Sequence, residues 1–66
     1  MNDAWLFHKH WNDGIRVTRV YVRGNERLTL HRKHGSADPW TDAEGKEYEI
    51  VGDGYGQPVP VEQEGN

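Results

Sequence analysis

The four histidines His8, His10, His31 and His34 are the residues of this chain whose type and spacing come closest to a metal-binding pattern. His8 and His10 flank one residue, so on a regular strand both imidazoles point to the same side, as a chelating pair requires. His31 and His34 would join them only if the first and third extended segments met. Structural zinc takes four nitrogen or sulfur ligands, and catalytic zinc takes three with one open position. The chain has no cysteine, so imidazoles would have to supply nearly the whole set. The spacing of His31 and His34 puts them on opposite faces of a strand, and no carboxylate motif accompanies them. The expectation is no metal and no cofactor, with a histidine-cluster metal-binding protein as one alternative.

A second constellation is cationic. Arg16, Arg19, Arg23, Arg27, Arg32 and Lys33 punctuate two adjacent extended segments. A basic sheet that also carries Tyr21 can bind single-stranded nucleic acid through backbone contacts and base stacking. Arg16, Arg19, Tyr21, Arg23 and Arg32 are the candidates for that alternative. Against it stands a sequence pI of about 5.7, below the basic footprint usual in such domains. Cold-shock domains are similar in size and architecture. Their closely spaced glycine and phenylalanine signature is missing, since Phe7 is the only phenylalanine. The plainer reading pairs these arginines with Glu26, Glu47 or Glu49 across the sheet.

A third constellation is acidic and aromatic. Asp38, Asp42, Glu44, Glu47, Glu49 and Asp53 are interleaved with Trp40 and Tyr48. Aromatic side chains anchor interfaces, and complementary charge speeds encounter with a basic partner. Trp40 lies in a polar loop after a proline, where local propensity gives no reason for a tryptophan. It either caps an undersized core, the first expectation, or contacts a partner. Trp40, Asp42, Glu44, Tyr48 and Tyr55 are the partner-binding candidates.

Catalytic motifs are missing. Ser36 is the only serine and has no evident base. The glycines of Gly52-Asp53-Gly54-Tyr55-Gly56 lack the following helix that a phosphate loop needs. A chain of 66 residues can hardly enclose the concave pocket in which catalytic groups are tuned. The expectation is a non-enzyme.

The elements that must position these residues read as strands. Asn12-Asp13-Gly14, Gly24-Asn25 and Asp53–Gln57 are turn signals. Residues 15–23 are dense in β-branched and aromatic types. Their alternation slips midway, because Ile15 and Val17 have one parity and Val20 and Val22 the other. Either a bulge near Thr18 or Arg19 realigns them, or both faces are partly buried. Leu28 and Leu30 alternate with Thr29 and His31, and Tyr48 and Ile50 with Glu47 and Glu49. The first segment reads as a strand with Trp5, Phe7 and Trp11 on one side. A short helix capped by Asp3 is the alternative. Residues 35–45 read as one long loop, with a helical turn after Asp38 as an option. Pro58 and Pro60 restrict the last segment to a sheet edge.

The expected fold is therefore all-β: a small antiparallel meander of four to five strands, as a curled sheet or SH3-like barrel. Residues 1–61 form one domain and 62–66 a flexible tail. The stretch Leu30–Ala37, then Trp40 and Gly45-Lys46-Glu47-Tyr48, resembles the hairpin repeats of MORN-like antitoxin proteins. Those repeats carry a His-Arg, a Gly-Pro-Ala and an aromatic after a turn, and here Ser36 replaces the proline. The resemblance spans about a third of the chain. It assigns no family, and it implies hairpin packing and protein binding.

Charge is divided along the chain. Residues 1–34 hold seven Lys/Arg against three Asp/Glu, a balance of +4, and residues 35–66 hold Lys46 against eight acids, a balance of −7. No segment has the apolar length of a membrane span or the layout of a signal peptide, so a cytoplasmic location is expected. The leading expectation is a protein-binding module that docks its acidic half on a larger partner with a basic surface. A domain of this size without a catalytic set suits a phage or mobile-element modulator or inhibitor of a host protein. A homodimer through an edge strand is a further option.

Overall fold

A computed structural model describes residues 4–61. The expected tail at 62–66 and the cap at Asp3 lie outside them. The described residues form one antiparallel sheet of six strands, ordered as they occur in the chain, and the ladder does not close. The strands are β1 (Leu6–Asn12), β2 (Arg16–Arg23), β3 (Glu26–Lys33), β4 (Trp40–Thr41), β5 (Glu47–Val51) and β6 (Gln57–Pro60). The all-β meander holds, as a curled open sheet rather than a barrel. The extra strand comes from inside the expected loop, where Trp40 and Thr41 pair with β5 and Thr41 pairs with His31. The segment after Asp38 is not helical. No helix among the described residues is long and apolar enough to cross a membrane.

The turns are held by their own side chains. Asn12 Oδ1 accepts the Gly14 N–H at 2.8 Å, and Asp13 Oδ1 accepts those of Ile15 and Arg16 at 2.9 and 2.8 Å. Asp42 Oδ1 does the same for Glu44 and Lys46, both at 2.9 Å. Gly24 opens the two-residue β2–β3 turn at φ +60°, the position where a type II′ turn wants glycine.

Registers define two faces, because directly opposed residues share a side. The inner face carries Phe7, Val17, Tyr21, Leu28, Leu30, Trp40, Tyr48 and Ile50. Six of these, Val17, Tyr21, Leu28, Leu30, Trp40 and Tyr48, form the core, with Trp5 and Ile50 packed against it. Tyr21 and Leu30 are fully buried, and each such side chain contributes about 1.5–3 kcal/mol.

The sheet curls around this face until its ends meet. Tyr55, in the β5–β6 turn, stacks on Phe7 of β1 with ring centroids 3.7 Å apart. The Tyr21 hydroxyl donates to the Tyr55 carbonyl at 2.5 Å. The Gln57 side chain accepts from the Trp5 N–H and donates to its carbonyl, both at 2.7 Å. One side-chain amide thus stands where a closing ladder would run.

The bulge falls on β1, between Phe7 and Lys9, and not near Thr18 or Arg19. His8 is the extra residue and reverses the parity beyond it. Trp11 therefore lies opposite Thr18 on the outer face, away from Phe7 and contrary to the expected common side. β2 pairs with β3 without interruption. Its slipped alternation reflects a strand buried on both sides: Val17 and Tyr21 inside, Thr18 and Val20 outside.

Candidate interaction surface

On the inner face, arginines lie over aromatic rings. Arg19 stands 4.8 Å from the Trp40 ring and 5.1 Å from that of Tyr55. Arg32 lies 4.5 Å from the Trp40 ring and Arg23 4.1 Å from that of Trp5. Arg23 also pairs with Glu26 at 2.9 Å. Arg32 Nε is buried and has no hydrogen-bond partner among the described residues. The attraction of its guanidinium to the ring quadrupole offsets part of that desolvation.

This arrangement separates the nucleic-acid candidates. Arg16 lies on the outer face, while Arg19, Arg23 and Arg32 lie on the inner face against the protein's own rings. Tyr21, the proposed stacking platform, is completely buried. The plainer pairing of arginine with glutamate is formed at Arg23 and Glu26.

The acidic-half candidates separate as well. Trp40 is 4% exposed and Tyr48 also belongs to the core, so neither offers a partner a face. Trp40 caps the core, the first of its two expected roles. Asp42 is committed to its turn. Loss of hydration raises its carboxyl, but the N–H groups of Lys46 and Glu44, with the Tyr48 hydroxyl at 3.3 Å and the Lys46 charge, outweigh this and hold it below its ordinary value. Burial, and then the Asp42 charge, push the Tyr48 hydroxyl up. Glu44 and Tyr55 remain exposed.

The histidines do not converge. His10 meets Arg19 on the inner face, and His31 meets Thr18 on the outer face. His34 bonds Asn12, and His8 sits at the bulge. Among the described residues no three His, Cys, Asp or Glu side chains are grouped to hold a metal ion.

The outer face of β1–β3 is the surface that the sequence reading missed. Leu6 lies opposite Val22, Lys9 opposite Val20 and Trp11 opposite Thr18. The same face continues through Thr29, His31 and Thr41. Leu6 is 64% exposed, Trp11 46%, and Ile15, at the neighbouring turn, 76%. Lys9 lies 5.8 Å from the Trp11 ring. Arg16, Arg27 and Lys33 share this side. The result is an apolar strip edged by cations. At its lower end runs an open groove of about 540 Å³, lined by Ile15, Arg16, His31, Lys33, Thr41 and Asp42 among others. The unread signal was the β1 bulge, without which Trp11 is assigned to the core side.

No family model, curated protein or solved structure matches this chain.

Proposed function

We propose that this domain is a non-enzymatic protein-docking module that presents the outer face of β1–β3 to a larger partner. One observation carries the reading: Leu6, Trp11 and Ile15 stand exposed on or beside one face, while the core has only a handful of apolar side chains. A domain with so little to bury that leaves a tryptophan, a leucine and an isoleucine in water gains most when a partner covers them. The shifts at Asp13, Asp42 and Tyr48 arise from turn bonds and packing.

The mode is face docking rather than strand addition. The β1 bulge and Lys9 interrupt the outer edge of the sheet, two common devices against edge pairing. The acidic half retains Glu44 and Tyr55 as its exposed candidates, but Trp40 and Tyr48 are inside.

The test is site-specific photo-crosslinking in the cells that express the chain. A photoreactive phenylalanine analogue at position 11 should give a discrete protein adduct, and the same group at position 44 should give none. Adducts from position 44 alone would return the interface to the acidic half. Absence of any protein adduct would remove the docking reading.

A further inference from the structure

The groove at the lower end of the outer face carries an unusual pairing. Arg16 and Lys33 lie directly opposite each other across β2 and β3, and both are exposed. Like charges in directly opposed positions destabilise a sheet. Two carboxylates stand near the pair: Asp42 lines the same groove but is held by its own turn, and the charge of Asp13 is felt at Arg16. Asp13 Oδ1 is engaged by the Ile15 and Arg16 N–H groups. Lys33 has no ion pair among the described residues. His31, one row further along, is oriented by Thr18 Oγ1 at 3.1 Å. Ile15 supplies an exposed apolar wall.

The geometry points to this groove as the recognition site for a short acidic peptide segment of the partner, with a carboxylate bridging Arg16 and Lys33 and an apolar side chain against Ile15. This inference rests on the docking reading and names the chemistry of its partner. Charge complementarity favours the acidic occupant. A carboxylate placed between the two cations replaces their repulsion with two charge-assisted contacts. The groove volume of about 540 Å³ lies within the ~300–1,000 Å³ range of ligand sites, room for a few residues. A long polyanion fits less well, because Asp42 lines the same groove and Glu44 follows it in the adjoining turn.

The test is an amide-resonance titration of the whole chain with three probes: an acidic peptide alternating aspartate and leucine, the same peptide with lysine for aspartate, and a ten-nucleotide thymidine oligomer. The acidic peptide should shift Ile15, Arg16, His31 and Lys33. Its affinity should fall at least tenfold in Arg16→Glu/Lys33→Glu, and weaken as salt rises. Should the charge reversal disturb folding, judged by circular dichroism, Lys33→Gln should still reduce affinity severalfold. Saturation with no shift in the groove, equal response to the lysine peptide, or tighter binding of the oligomer would each overturn the inference. If the groove fails this titration while position 11 still crosslinks to protein, the docking reading survives without it.

Discussion

Trp40 caps an undersized core, the first of its two expected roles. It packs in the core with Arg19 and Arg32 near its ring, so truncation opens a cavity and leaves two guanidinium groups without their stacking surface. Trp40→Ala should cost about 3–5 kcal/mol, close to the whole stability of a domain this small. Loss of the cooperative urea transition is the expected result, and an unchanged transition midpoint would return Trp40 to the contact set. The titrating groups make a second residue-level prediction. Asp13 is lowered by the N–H groups of Arg16 and Ile15. Asp42 is lowered because its backbone and side-chain donors outweigh desolvation. A carboxyl whose pKa drops on folding stabilises the fold above its unfolded value and loses that contribution as pH falls through the folded one. Tyr48 is raised by burial and by Asp42, so its contribution is complete below its unfolded value and is lost as pH rises through the folded one. Thermal melts should therefore give a plateau through neutral pH, a fall on the acid side below about pH 4 and another on the alkaline side above about pH 10. Asp13→Asn should shrink the acid-side fall, and an acid limb identical to that of the unaltered chain would refute the assignment.

Among the elements, the β5–β6 turn is the one that ties the ends of the sheet together. It carries Tyr55 onto Phe7 and Tyr21, and Gln57 onto Trp5. Gly56 makes the turn possible. At φ +65°, a Cβ there would meet the Val51 carbonyl and Ile50 Cγ2 at 2.8 Å. Gly24 has a similar φ of +60° but open space around it. Gly24→Ala should cost only the backbone strain of an L side chain at that φ, about 1–3 kcal/mol. Gly56→Ala should cost clearly more and release the Tyr55 turn. Urea midpoints of the two variants make the comparison, and equal losses would show that the close approach at Gly56 is unimportant. The β1 bulge works at the same scale: one extra residue at His8 moves Trp11 from the core side to the outer face.

For the whole molecule, meander order turns a division along the chain into a division in space. The cation-rich residues 1–34 supply β1–β3 and the acid-rich residues 35–66 supply β4–β6. Such polarity orients encounter with a charged partner more than it stabilises the fold. It also places the open edge of β1 on the cationic side, where Lys9 and the bulge discourage pairing between copies. Lys9→Val should raise self-association, read by sedimentation velocity at matched concentrations, while the unaltered chain stays monomeric. A dimeric unaltered chain would show that the edge is not guarded in this way.

The all-β class, the turns at Asn12–Gly14, Gly24-Asn25 and Asp53–Gln57, the half-buried alternation of Tyr48 and Ile50 and the charge polarity were legible in the chain, because each is encoded within a few neighbouring residues. The direction of Trp11, the choice between the two expected roles of Trp40, and the outer face as the accessible surface were not. They depend on one bulged residue and on contacts such as Trp5 with Gln57, which are 52 positions apart. Side-chain pattern specifies a strand and its two sides, but which side meets water follows from how the sheet curls and what distant segment lands on it.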